Sequence, residues 1–154
     1  MADTDLNAAT LTVTITEALE VGHDNGSTDS LDFAQTYTHT FGSIINTSKR
    51  IIKLANTNLT EVATFGSDTA DGAFVRADVR YIRVTNLDGT DALQVGLDDE
   101  ASDAAYTSLA ANSSIMYTGT TCEGGNGGTT LDNATALKVK GVANHQLEVF
   151  IASV

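Results

Sequence analysis

Leu11, Val13 and Ile15 alternate with Thr12, Thr14 and Thr16, and this period of two governs most of the chain. Successive side chains of a strand point to opposite faces, so aliphatic and β-branched residues in this order specify a half-buried strand. An amphipathic helix would repeat its apolar residues every three or four positions instead. The odd positions continue through Leu19 and Val21, interrupted at Glu17, until the segment Gly22 to Ser27 supplies a turn whose strongest signal is Asn25–Gly26. A second run from Phe33 to Phe41 places Phe33, Tyr37 and Phe41 on one face and Thr36, Thr38 and Thr40 on the other.

The same pattern returns at 48–54, 59–65, 79–87, 92–97, 106–109, 113–117, 135–142 and 146–154. Proline is absent, so the turns between these runs depend on Gly, Asn and Asp for their special dihedral angles. Asn56–Asn58 and Ala110–Asn112 separate adjacent runs, Asn144–His145 turns the last corner, and Asp88–Gly89 reads as a hairpin turn. That hairpin makes Ala92–Leu97 the antiparallel partner of Val79–Leu87. Residues 98–105 are too short for a stable helix and read as a loop or single turn. About nine short strands at near-regular spacing, with no substantial helix, predict an all-β fold, an antiparallel β-sandwich or jelly-roll-like domain. At 154 residues the chain can bury one core without disulfides. The division expected is an N-terminal arm over 1–10 and a single β-sandwich domain over 11–154. Val13, Ile15, Phe41, Ile51, Ile82, Val84, Leu93, Val95, Val139, Val149 and Ile151 are expected in the core.

The net charge of −12, from 20 acidic and 8 basic residues, argues against nucleic acid and against an anionic membrane, both of which need clustered Lys and Arg. It favours solubility and repulsion between free copies. Residues 1–48 hold no Lys or Arg, whereas six of the eight basic residues fall between Lys49 and Arg83. These cations read either as solvated strand faces or as a stripe that meets the acidic parts of a neighbouring copy. One cysteine excludes an intramolecular disulfide. The first ten residues lack the basic and apolar regions of a signal peptide, and no apolar run approaches membrane-spanning length. The expectation is a protein made in a cytoplasm.

The spacings that carry chemistry are missing. His23, His39 and His145 form no HxH or HExxH pattern and read as surface or half-buried residues. Cys122 lies in TTCEGGNGG with no visible base, and that glycine run lacks the Lys–Ser/Thr of a phosphate loop. Asp98, Asp99, Glu100 and Asp103 lack the alternation of a calcium loop and read as a solvated acidic segment. Tryptophan is absent, which weakens a sugar-binding platform. Tyr81, Tyr106 and Tyr117 would be its candidates, although core or interface packing is the better account of all three. No enzyme, metal or cofactor is expected.

Arg80 to Thr90, RYIRVTNLDGT, resembles a segment of small virion proteins of marine tailed phages, especially those infecting cyanobacteria and other oceanic bacteria. Leu147 to Ala152 is similar to their C-terminal strand, and the alternating strand, Asn-Gly turn and Thr-rich strand of the N-terminal part look like theirs. The resemblance implies a structural virion protein without catalytic residues. Its first form is a capsid decoration (cement) protein, typically a trimer, bound to the major capsid protein on the capsid exterior after assembly in the host cytoplasm. The alternative is a tail or fibre component with carbohydrate or receptor binding. The interface residues expected are Met1, Ala2, Asp3, Thr4, Asp5 and Leu6 of the arm, able to add a strand to a neighbour's sheet edge, with Arg50, Arg80 and Arg83 as charge partners.

Overall fold

The computed structural model of the protein describes residues 8–19, 33–67, 73–99, 105–118 and 134–154. Within them lie eleven strands: β1 (Ala9–Leu19), β2 (Phe33–Ile44), β3 (Asn46–Lys53), β4 (Thr60–Gly66), β5 (Ala73–Val75), β6 (Val79–Asn86), β7 (Leu93–Asp99), β8 (Ala105–Leu109), β9 (Ser114–Thr118), β10 (Ala134–Lys140) and β11 (Gln146–Ser153). The sole helical element among the described residues is a three-residue 3-10 turn at Arg76–Asp78. The fold is all-β, as the period of two predicts. The strand not foreseen is β5, three residues long.

The chain divides into two units, residues 1–44 and 45–154. Ala9 and Thr10, assigned to the arm by sequence, already belong to β1, and residues 1–7 lie outside the described residues. The first unit is a long antiparallel ribbon of β1 and β2. In it Thr12, Thr14 and Thr16 face Thr40, Thr38 and Thr36, while Leu11, Val13 and Ile15 face Phe41, His39 and Tyr37. The expected Asn25–Gly26 turn lies outside the described residues. At the base the register shifts between Ala9 and Leu11, and Ser43 adopts the left-handed region at φ 58°. This is the local signature of a bulge.

The second unit is a sandwich of two sheets with strand orders β3-β11-β6-β9 and β5-β4-β10-β7-β8. Every pairing is antiparallel except the short β4–β5 pair. With β5 set aside as an addition to one edge, the chain passes between sheets six times, at β3→β4, β4→β6, β6→β7, β8→β9, β9→β10 and β10→β11. The interleaved order of the remaining eight strands is that of a jelly roll.

The interior is the facing pair of apolar surfaces. Ile82, Val84, Leu147, Val149 and Ile151 come from one sheet and Leu93, Val95, Leu97, Leu137 and Val139 from the other. Seven of the core residues read from sequence are almost fully buried here, and Phe41 is buried in the first unit. Three are not. Ile51 is 67% exposed, because β3 pairs Ile52 with Leu147 and so turns Ile52 toward the core and Ile51 away from it. Ile15 is 39% exposed and Val13 half-buried, because β1 belongs to a two-stranded ribbon rather than to the sandwich.

The expected Asp88–Gly89 hairpin is corrected by the topology, since β6 and β7 lie in different sheets. A buried polar node is the reason. Asn86, on the inward face of β6 with no solvent exposure, directs its Nδ2 at the carbonyls of Asp91 (2.9 Å), Leu109 (3.2 Å) and Ala110 (3.1 Å). Its Oδ1 accepts from the Asp88 amide at 3.0 Å and lies 2.7 Å from Nε2 of His145. Because the amide nitrogen faces three carbonyls, the oxygen must face the ring, so His145 donates through Nε2. His145 is itself fully buried, which corrects its reading as a surface or half-buried residue. Asp88 accepts from the amides of Asp91 and Thr90, and these two bonds hold its carboxyl below its ordinary range. The His145 amide turn is bonded in both directions to Leu54, by Leu54 N–H to His145 O at 2.9 Å and Asn144 N–H to Leu54 O at 2.8 Å. Four of the six intersheet crossovers, β3→β4, β6→β7, β8→β9 and β10→β11, therefore meet at one end of the sandwich, where their backbone groups are satisfied by one another.

Candidate functional site

The outer face of the β3-β11-β6-β9 sheet concentrates the surface features that a solvated sandwich does not need. Cross-strand register builds it in rows. Lys49, Phe150, Arg83 and Met116 lie side by side, as do Ile51, Glu148, Thr85 and Ser114, while Lys53 lies opposite Gln146. Glu148 sits between two cations, 3.2 Å from Lys49 Nζ and 2.6 Å from Arg83 Nη2. The Thr85 and Ser114 hydroxyls pair at 2.8 Å. The Tyr81 ring packs edge-on against Phe150 at 5.8 Å, and its burial raises the phenol's pKa against the opposing pull of Arg83. Beside this network large apolar groups stand in solvent: Ile51 at 67% and Met116 at 37% exposure.

Burial raises the pKa of Glu148, but hydrogen bonds and charge from Lys49 and Arg83 outweigh it and hold the carboxyl below its usual 4.5. A carboxyl depressed in the folded state stabilises the fold above its unfolded pKa, and that contribution disappears as pH falls through the folded value. Acid titration of unfolding is therefore expected to be shallower below pH 4.5 for Glu148→Gln than for the natural chain. Equal slopes for the two would show that the pair is screened to no effect.

The three arginines picked from sequence do not come together. Arg50 projects from the inward side of β3 and donates to the carbonyl of Val62 at 2.6 Å, tying the edge of one sheet to β4 of the other. Arg80 folds back on the 3-10 turn, donating to Ala77 O at 2.6 Å and Val79 O at 3.3 Å. Arg83, three residues along the strand, points to the opposite face and joins Glu148. The cationic row actually formed on the outer face is Lys49, Lys53 and Arg83. Two of its members were missed, although the alternation Lys49, Ile51, Lys53 marks them as sharing a face. Met1 to Leu6 lie outside the described residues.

The three tyrosines are equally dispersed. Tyr81 is buried on the outer face just described, Tyr117 packs against the core, and Tyr106 lies on the outer face of the other sheet across Gly96 from Lys138. Asp98 forms an ion pair with Lys138, while Glu100, Asp103, Cys122 and His23 lie outside the described residues. His39 is exposed and packs at a tilt of 56° against Phe41, with ring centroids 4.4 Å apart. Among the described residues there is no group of three or more His, Cys, Asp or Glu side chains placed to hold a metal ion, and no helix long and apolar enough to cross a membrane.

No family model matches the chain, and neither a curated protein nor a solved structure matches it.

Proposed function

We propose that this chain is a structural protein of a tailed-phage virion, acting as a capsid decoration (cement) protein that binds the outer shell as a homotrimer beside the major capsid protein. The role is assembly without catalysis, and it requires no cofactor. The observation that carries the reading is the outer face of the β3-β11-β6-β9 sheet, where exposed Ile51 and Met116 flank a Lys49–Glu148–Arg83 network. Grouped apolar residues rimmed by charges mark a surface that meets another protein. The jelly roll is a fold that viral capsid proteins use, a likeness of architecture that supports the reading by analogy. The resemblance of Arg80 to Thr90 to marine phage virion proteins points the same way.

Cryo-electron microscopy of the intact particle tests it. Copies at three-fold or quasi-three-fold positions of the icosahedral shell are the expected result. Copies confined to the tail or its fibres would overturn the cement role and favour a fibre component that binds carbohydrate or a receptor.

A further inference from the structure

We propose that the β1–β2 ribbon of one copy lies, apolar side down, on the outer face of the β3-β11-β6-β9 sheet of a second copy. This rests on the reading of the chain as a self-assembling structural protein and names the surfaces through which copies meet.

The ribbon cannot account for its own order. Strands of 11 and 12 residues extend for roughly 35–40 Å, and among the described residues no third strand pairs with either. A two-stranded ribbon is marginal in water, because fixing each residue costs about 1–2 kcal/mol that cross-strand pairs alone do not return. Its two sides differ in the way that a covering layer would require. The threonine pairs suit solvent, while the other side carries Ile15, 39% exposed, and Tyr37, 48% exposed.

Charge selects what covers it. Residues 1–44 contain seven Asp and Glu and no Lys or Arg, which disfavours a phosphate-bearing partner, whether nucleic acid or lipid; Glu17, on the side of Ile15, is the one that lies within the described strands. The complementary surface is on the same chain. Residues 45–154 are acidic overall, with 13 Asp and Glu against 8 Lys and Arg, yet the outer sheet face carries Lys49, Lys53 and Arg83 against a single carboxylate, Glu148. Ile51 stands between Lys49 and Lys53, and Met116 lies beside Arg83 on the edge strand, the two apolar groups that would meet Ile15 and Tyr37. Opposite charge and matching apolar rows give both attraction and register.

Size decides the form of the assembly. A ribbon of this length covers roughly 350–400 Å² per partner, or about 700–800 Å² counted over both, so one contact falls below the roughly 1,200 Å² total of a stable interface. The contact is heterologous: each copy gives a ribbon and receives one. A closed ring therefore doubles the area per copy, while an isolated pair stays weak.

Photo-crosslinking of the full chain tests this. Tyr37→p-benzoylphenylalanine is prepared in unlabelled and nitrogen-15-labelled copies, which are mixed, irradiated and mapped by mass spectrometry. Cross-links between copies are expected from position 37 to peptides containing Ile51 or Met116. Ile51→Asp, at an exposed position, should cut their yield by about tenfold or more without changing the melting temperature. Glu17→Lys should weaken the cross-link, and adding Lys53→Glu should restore it. Cross-links confined to one chain, directed to another surface, insensitive to Ile51→Asp, or absent even at millimolar concentration would each overturn the proposal. Particles that carry the chain with cross-links mapping elsewhere would leave the virion reading intact and remove this one. Cross-links of the expected pattern on a chain that never enters particles would do the reverse.

Discussion

Asn86→Ala is expected to destabilise the sandwich by about 3–5 kcal/mol, a large fraction of the stability of a domain this size. The side chain is fully buried and supplies partners to groups on three other segments: the carbonyls of Asp91, Leu109 and Ala110, the Asp88 amide and the His145 ring. Removing it strands several of these at once, at about 1–3 kcal/mol for each that water cannot reach. In thermal unfolding followed by circular dichroism, the midpoint should fall by about 10–20 °C. Asn86→Asp separates hydrogen bonding from volume. It keeps the shape and one acceptor oxygen but turns a second oxygen toward three carbonyls, so it should be at least as damaging as alanine. A stable Asn86→Asp protein would mean that those carbonyls are satisfied elsewhere and that the node is not what closes the crossovers.

The second large effect is steric. A Cβ at Gly141 would lie 2.8 Å from Nδ1 and 3.1 Å from Cγ of His145, and 3.1 Å from Cδ1 of Leu54. Both neighbours are buried, and the ring is held on its far side by Asn86, so it has little room to retreat. Gly141→Ala should cost about 2–3 kcal/mol, and Gly141→Val more. The cause is identified by a double-mutant cycle in chemical denaturation. In a His145→Ala background the alanine at 141 should cost less than about 1 kcal/mol, because the two ring atoms it collides with are gone and only the contact with Leu54 Cδ1 remains. Additive effects would place the strain somewhere other than the ring.

Much of the fold was legible because alternation is a local property. Every run read as a strand, from Leu11 to the final one, lies in or overlaps a strand of the structure. What alternation cannot supply is the partner. Val79–Leu87 and Ala92–Leu97 are contiguous and separated by Asp88–Gly89, yet they sit in different sheets, because Asn86 and Asp88 spend their hydrogen bonds on a crossover instead of a tight turn. Parity did hold the missing information in two places. Ile82 and Val84 face inward, so Asn86 must as well, and Leu147, Val149 and Ile151 imply the same for His145. A polar residue on an apolar face asks for buried partners, but three of those of Asn86, the carbonyls of Leu109 and Ala110 and the His145 ring, are 23 to 59 residues away in sequence, and no local pattern could name them. The candidate surface was half legible for a related reason. The concentration of cations after Lys49 is visible, but which of them share a face depends on counting by two, and Arg80 and Arg83 fail that count while Lys49 and Lys53 pass it.

The chain enters the jelly roll at Ile45 and leaves it at Ser153, and these two residues are joined by a hydrogen bond of 3.1 Å from the Ile45 amide. From there β3 and β11 run antiparallel in unbroken register from Asn46 opposite Ser153 to Lys53 opposite Gln146. Tension applied between the ribbon and the C-terminus would therefore fall on the end of this ladder and open it like a zipper, one rung at a time. A load spread over the sheet face would instead be shared by many rungs at once. A protein of this design withstands force delivered across its broad surface far better than force delivered through its two chain ends.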